Sequence, residues 1–411
     1  MLQKNIYLIL IILLLHVGCT TNEAQEGSIF QETPNSLENM KYTGDDHIDN
    51  SVEEQSEDGK QIKEENNQAD QDAKEPETEK PAEKPKKRDV KGIYLNRNSI
   101  REENINKYID LVKSSDLNAV VIDIKDDYGK ISYDSKLDRV NEIGSDDNPT
   151  VDDMKKFIQR LKEEDIYTIA RIVTFKDPFL ADKKSEYALK RKNGNVWSDN
   201  AGVKWIDPFK KEVWEYVTDI SEEIAQLGID EIQYDYIRFP ENAKKVDQEV
   251  AFDNPDNISK SDVIQNFLSY SKEKLANYPV YVSADVFGLV TTVEDDMGIG
   301  QKWEKISPLI DYISPMTYPS HYAPNTYGIG NPDRHPYDVM KNAMQDAKAR
   351  NQMLKEDGKD TAIIRPWIQD FDYKSNYTAE DVKNQIKALK EEQINQYLLW
   401  NASNKYTEAA L

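Results

Sequence analysis

From Val90 to the C-terminus, short apolar runs rich in β-branched and aromatic residues alternate with longer stretches of mixed polarity. Eight runs read as strands: Val90–Asn96 (VKGIYLN), Ala119–Asp126 (AVVIDIKD), Tyr167–Phe175 (YTIARIVTF), Glu231–Phe239 (EIQYDYIRF), Val280–Gly288 (VYVSADVFG), Tyr312–Tyr318 (YISPMTY), Ala362–Phe371 (AIIRPWIQDF) and Tyr397–Ser403 (YLLWNAS). Between them, apolar residues recur at helical spacing. Ile105–Ser114 sets Ile105, Tyr108, Ile109 and Val112 on one face, and Val151–Glu164 does the same with Met154, Phe157, Ile158 and Leu161. Glu212–Leu227, Ser261–Ala276 and Ala379–Glu392 follow the rule, with Ser261 and Asp262 as expected cap residues.

Strands alternating with helices predict a parallel sheet, and eight strands predict its closure into a (β/α)8 barrel of the α/β class. The competing open, doubly wound sheet carries a Gly-rich phosphate turn after its first strand, whereas Asn96-Arg97-Asn98 stands here. Only Tyr406–Leu411 follows the eighth strand closely, too little for a closing helix. The ring is therefore expected either to stay open there or to be covered by another segment.

Ahead of Val90 the texture changes. Lys4 precedes an apolar run from Ile6 to Val17, which reads as a secretory signal and falls short of the roughly 20 residues a membrane span needs. Gly18-Cys19 resembles a bacterial lipobox, with His16 where that motif usually has an aliphatic residue. The expectation is lipidation at Cys19; the alternative is an uncleaved anchor. Either reading places the rest of the chain on the extracytoplasmic face of the cell membrane. Thr20 to Arg88 is mostly Glu, Asp, Lys, Gln, Asn and Pro, ending in KEPETEKPAEKPKKR, and predicts a disordered, extended tether. The expected organisation is a signal and lipidation site over 1–19, an acidic disordered linker over 20–89 and the barrel over 90–411. Cys19 is the single cysteine, so the barrel has no disulfide to lean on.

A net charge of −23 over 411 residues argues against a nucleic-acid partner, because phosphates are held by clustered Lys and Arg. His321 and His335 are the only histidines of the barrel, and no HExxH or His-x-His pattern occurs, which argues against zinc chemistry. There is no catalytic cysteine, G-x-S-x-G elbow or P-loop. No cofactor and no metal is implied.

Barrels of this kind carry their chemistry at the C-terminal ends of the strands. Those ends supply Asp123, Lys125 and Asp126 on the second strand, Arg171 on the third, Asp235 and Arg238 on the fourth, and Asp285 on the fifth. Tyr318 and His321 follow on the sixth, Trp367, Gln369, Asp370 and Asp372 on the seventh, and Trp400 and Asn401 on the eighth. Asp235 interrupts an apolar, aromatic strand, where a charge is costly unless paired or used. One reading makes it catalytic; the other makes it half of an ion pair with Arg171 or Arg238. Asp285 sits similarly on the next strand. Two carboxyl groups facing one point suit glycoside hydrolysis, one protonating the leaving oxygen while the other attacks or stabilises the sugar cation. Asp123 is read as a partner of Lys125, as an acceptor for ligand hydroxyls or as a catalytic group. Trp205, Tyr236, Tyr318, Tyr322, Trp367 and Trp400 offer faces for pyranose rings, or ordinary packing.

Asp230–Pro240 (DEIQYDYIRFP) resembles the signature of a bacterial family known as "putative glycosyl hydrolase domain", distantly similar to α-amylase-type barrels. So do Val121–Asp126, Trp205–Pro208, Ser283–Gly288 and Ser314–Pro319. The resemblance implies a TIM barrel that hydrolyses glycosidic bonds. Amylase-like enzymes use an aspartate nucleophile on strand four, which Asp235 matches. They carry a glutamate acid on strand five, where this chain has Asp285, and an arginine two residues before the nucleophile, where it has Gln233.

The expected function is a lipid-anchored glycoside hydrolase acting on a poly- or oligosaccharide. Asp235 would be nucleophile or stabiliser and Asp285 general acid/base. Asp123, Lys125, Arg171, Arg238, Tyr318, His321, Trp367, Asp370, Asp372 and Trp400 would bind the sugar. The alternatives are a non-catalytic carbohydrate-binding barrel of the cell envelope and a purely structural lipoprotein, which predicts no cleft.

Overall fold

A computed structural model describes residues 83–411; Cys19, the signal and most of the linker lie outside the described residues. Eight parallel strands form the barrel: β1 Lys91–Leu95, β2 Ala119–Lys125, β3 Tyr167–Val173, β4 Glu231–Asp235, β5 Tyr281–Phe287, β6 Tyr312–Met316, β7 in two pieces (Ile363–Ile364 and Trp367–Gln369), and β8 Tyr397–Trp400. Pro366, which has no N–H to donate, lies in the break of β7. β8 pairs with β1 through Lys91 opposite Tyr397, and β6 pairs with both pieces of β7, so the ring is closed.

The barrel helices are α1 Glu102–Lys113, α2 Met154–Glu163, α3 Lys211–Gln226, α4 Lys260–Lys274, α5 Trp303–Ile306, α6 Pro336–Glu356 and α7 Ala379–Glu391. α1 and α2 bury the residues their spacing predicts. The cap of α4 is Ser259, not Ser261 or Asp262: its hydroxyl oxygen accepts from the Asp262 N–H while Asp262 stands in the first turn. α6 has no counterpart in the sequence reading. Its buried face is Val339, Met340, Ala343, Met344, Ala347 and Leu354, mostly alanine and methionine, which give a weak periodic signal.

No helix closes the ring after β8. The C-terminal segment instead folds back onto the end of β1, where the Asn404 amide and the Tyr406 hydroxyl both donate to the Tyr94 carbonyl, and it ends in the turn Glu408–Ala410. At the opposite end, residues 84–88 cross the N-terminal ends of the strands. Lys84 pairs with Asp311 at 2.8 Å, the Tyr281 hydroxyl donates to the Pro85 carbonyl, and Arg88 pairs with Asp165.

Inside the barrel, the residues of β4 that face inward are all polar: Glu231, Gln233 and Asp235. Glu231 is fully buried and bound by the Arg365 guanidinium through both oxygens, with the Tyr167 and Ser283 hydroxyls completing its shell. Arg365 in turn lies 4.5 Å from the Tyr312 ring centroid. Removing one partner of such a pair strands the other charge in low dielectric. Arg365→Met is therefore expected to cost about 3–5 kcal/mol in urea unfolding, and the Glu231→Leu/Arg365→Met double variant markedly less. Equal losses in the single and double variants would contradict the ion-pair account.

Candidate active site

The strand register builds the site. Asp123 on β2 lies opposite Arg171 on β3, Arg171 opposite Gln233 on β4, and Val173 opposite Asp235. Tyr234 pairs with Ala284, so Asp235 and Asp285 occupy neighbouring positions at the ends of β4 and β5. Adjacent strands lie about 4.8 Å apart, which brings the two carboxyl groups side by side.

Arg171 is fully buried and gathers three carboxylates. Its guanidinium bonds Asp235 at 2.7 and 2.8 Å, Asp123 at 2.7 Å and Asp127 at 3.1 Å. The Tyr94 and Trp400 rings, stacked on each other at 4.2 Å, lie 5.5 and 5.4 Å from it. Lys176 reaches Asp127 at 3.5 Å and donates to the Tyr236 hydroxyl. Burial works against the Asp127 charge, yet Arg171 and Lys176 together hold its pKa down to about 2. Asp123 behaves oppositely. Burial outweighs Arg171, and with the charge of Asp127 it lifts the Asp123 pKa to about 7, while Tyr94 donates to the other oxygen at 2.5 Å.

The last strand position before the loop is shaped by Tyr236, whose φ of 49° is left-handed, an uncommon state for an aromatic residue. Hydrogen bonds from Thr174 N–H to the Asp235 carbonyl and from Phe175 N–H to the Tyr236 carbonyl hold it there, and the Tyr236 N–H donates to Asp235 Oδ1 at 2.6 Å. Asp235 thus has one oxygen on Arg171 and one on backbone. Asp285 has no comparable cation. The Trp367 indole donates to its Oδ1 at 2.8 Å, and burial, reinforced by the charge of Asp235, pushes its pKa well above the usual carboxyl range. Tyr318 stands close enough that burial and both carboxylates raise its pKa too.

The remaining expected site residues divide between the mouth and the walls. The partner of Asp235 is Arg171; Arg238 instead pairs with Glu241 and packs against Phe287, Tyr236 and Trp205. Lys125 is sealed off. A bulge between Asp123 and Lys125 accompanies its turn toward Asp177 at 2.7 Å and the Val173 carbonyl, so it is not the partner of Asp123. Asp370 accepts from the N–H and hydroxyl of Thr407 and clasps the C-terminal segment, and Asp372 accepts from the Tyr377 N–H. Gln369 accepts from the Ser320 N–H. Trp367 and Trp400 meet edge to face at 5.4 Å and serve Asp285 and Arg171. His321 lies beside Tyr318, and burial followed by the charge of Lys374 lowers its pKa to about 4.

Tyr94, Asp127 and Lys176 belong to the site and were not singled out from sequence. Asp126 and Asp127 are adjacent acids at one strand end, and only the bulge decides between them. Asp126 caps its own loop by accepting from the Tyr128 and Lys130 N–H groups, leaving Asp127 for Arg171. Among the described residues no group of three or more His, Cys, Asp or Glu side chains is set to hold a metal ion; these aspartates converge on a guanidinium.

The fold is shared with a solved structure. The glycoside hydrolase domain of PgaB (BpsB) from Bordetella bronchiseptica superposes with a TM-score of 0.54 at 13% identity, over 76% of this chain and 94% of that one. A hypothetical protein from Ruminiclostridium thermocellum is 35% identical over 50% of this chain and 98% of its own, with a TM-score of 0.43. An α-galactosidase from Thermus thermophilus matches at 11% identity and a TM-score of 0.47, over 79% and 60% of the two chains. No curated protein sequence matches the chain. Residues 92–406, nearly the whole described barrel, match a family described as "Putative glycosyl hydrolase domain", and the chain belongs to that family.

Proposed function

We propose that this barrel is a glycoside hydrolase in which Asp285 is the general acid and Asp235 the nucleophile or base. One observation carries the reading: neighbouring carboxyl groups sit in opposite settings. Asp235 is ion-paired to Arg171, whereas Asp285 has no such cation, and burial with the adjacent charge raises its pKa and favours the protonated form. Environments that push two acids apart are the usual basis of an acid/base division of labour. With Oδ1 of Asp285 accepting from Trp367, the proton is free to sit on Oδ2 and pass to a glycosidic oxygen. Positive charge then developing on the sugar would be met by Asp235, which Arg171 and the Tyr236 N–H hold in place.

The proposal includes Cys19 as a lipid anchor on the extracytoplasmic face, supported by the basic start, the apolar run and Gly18-Cys19. Residues 84–88 run across the N-terminal strand ends, the end of the barrel opposite the proposed catalytic mouth. One observation favours the second reading, a carbohydrate-binding barrel without catalysis: Asp285 is 1% and Asp235 5% exposed, so a sugar would reach them only if the surrounding loops yield.

A panel of cell-wall, capsular and plant polysaccharides, assayed for new reducing ends with the full chain, separates the two. Asp235→Asn and Asp285→Asn should each lower hydrolysis by about 10³-fold or more with unchanged circular dichroism. Undiminished activity in Asp235→Asn would overturn the assignment, and binding without cleavage by the native protein would favour the second reading.

The raised pKa of Asp123 has a consequence for stability. Its folded value of about 7 exceeds the unfolded value near 3.8, so its contribution is fully present below pH 4 and is lost as the pH rises toward 7. Asp123→Asn copies the protonated form. Its melting temperature relative to the native protein should climb between pH 4 and pH 7 and level off above; a difference flat across that window would contradict the shift. Anchoring is tested separately, by loss of fatty-acid labelling in Cys19→Ser.

A further inference from the structure

β5 outlasts its neighbour β4. The pairing between them ends with Tyr234 opposite Ala284, while β5 runs on to Phe287 alongside β6. Continued in the same register, Tyr236 would stand opposite Val286, and its N–H would bond the Asp285 carbonyl. The left-handed turn at Tyr236 sends that N–H elsewhere: it donates to Asp235 Oδ1 at 2.6 Å. The turn that secures the Asp235 carboxylate therefore takes the β4 backbone away from the strand end that carries Asp285.

The Gln301 side chain takes over the ladder. It has no exposed surface, and its Nε2 donates to the Asp285 carbonyl at 3.1 Å and to the Ile237 carbonyl at 3.4 Å. Its Oε1 accepts from the Phe287 N–H at 2.9 Å. A residue of a parallel strand bonds its neighbour in the same pattern, donating to the carbonyl before its opposite number and accepting from the N–H after it. The two carbonyls can only accept and the N–H can only donate, so the position calls for a neutral amide that does both. The segment bearing Gln301 is itself held. The Ile299 carbonyl accepts from the Phe239 N–H at 2.8 Å, the Gly298 carbonyl accepts from Lys260 Nζ at 2.9 Å, and the Trp303 indole donates to Asn351 on α6 at 2.9 Å. Gly300 has a φ of 86°, and a Cβ there would lie 2.9 Å from the Lys260 carbonyl at the start of α4, so only glycine lets the segment approach this closely.

We infer that Gln301 is a positioning residue of the proposed hydrolase: its amide stands in for the Tyr236 backbone in the sheet and keeps the Asp285 carboxyl in register with Asp235. The inference rests on the proposed acid and nucleophile roles and adds the part that fixes their spacing. Gln301 acts through the backbone of Asp285 and the loop after β4, and touches neither carboxylate. Freed of it, the end of β5 would be tied to β6 alone and could move away from Asp235 toward water. Burial first, and then the charge of Asp235, raise the Asp285 pKa against the Trp367 indole, Arg171 and Arg365, with Tyr318 also beside it. Both raising effects weaken in a loosened strand end, so the acid would lose its proton at lower pH.

The test uses the full chain and the polysaccharide found to be cleaved in the panel. Gln301→Met, similar in length but without the hydrogen bonds, should lower kcat by about 10²-fold, leave KM unchanged and move the alkaline limb of the kcat profile to lower pH. Gln301→Glu can still accept from Phe287 but can donate only when protonated. It should keep more activity than Gln301→Met at acid pH and fall further behind the native protein as the pH rises. Gln352→Met, an exposed glutamine on α6, should change nothing. A Gln301→Met variant that melts earlier yet keeps the native kcat and pH profile overturns the positioning role. If that variant does not fold, a Gln301→Glu profile parallel to the native one overturns it. Both outcomes leave the hydrolase reading standing when Asp235→Asn is inactive. Absence of hydrolysis by the native protein across the panel overturns the functional reading and the positioning role with it.

Discussion

The C-terminal end of the barrel depends on one buried cation. Arg171 sits on β3 with no exposed surface and bonds carboxylates from both flanking strands and from the loop after β2. An unpaired guanidinium there would be prohibitively costly, and so would three unpaired carboxylates. Each close pair is worth a few kcal/mol at the effective dielectric of a partly buried site. The geometry also sets a limit. Arg171 touches Asp123, Asp127 and Asp235 but makes no bond to Asp285 on β5. The two neighbouring acids therefore experience different fields, a difference that follows from which strands an arginine on β3 can reach.

This end is one layer of an unusually polar interior. Below it, Glu231 and Arg365 form a second buried ion pair, closed by hydroxyl donors. Between the two layers, the Gln233 amide and the Ser314 hydroxyl are buried without a protein hydrogen-bond partner. Barrel interiors more often hold layers of branched aliphatic residues. Here the apolar residues work on the outside of the strands against the helices, as Ile232 and Tyr234 do, while the inward positions of β4 carry Glu231, Gln233 and Asp235. A stack of polar layers leading up to the carboxyl pair is a stiff, highly specified support, since each charge has one geometry that satisfies it.

Aromatic residues have a second supporting role. Trp367 donates to Asp285, Tyr94 donates to Asp123, and the stacked Tyr94 and Trp400 rings shield Arg171. These contacts exclude water from the charges and strengthen them, and they explain why residues suggestive of sugar stacking are mostly buried.

The sequence by itself determined the eight strands and five of the helices, because hydrophobic periodicity is a local property and the barrel repeats it eight times. It also singled out Asp235 and Asp285, since an acid inside an apolar strand is anomalous wherever the strand goes. α6 escaped notice because alanine and methionine bury a face without a strong pattern, and closure without a final helix was left open. Only the tertiary structure decided the partners. Lys125 and Arg238 look as available as Arg171 in the sequence, yet one bulge on β2 and one left-handed residue after β4 turn the first two into the walls and leave Arg171 facing the aspartates. Asp127 joins the site and Asp126 does not for the same reason. Which charge meets which is a matter of register across strands more than forty residues apart, and a linear pattern carries no record of it.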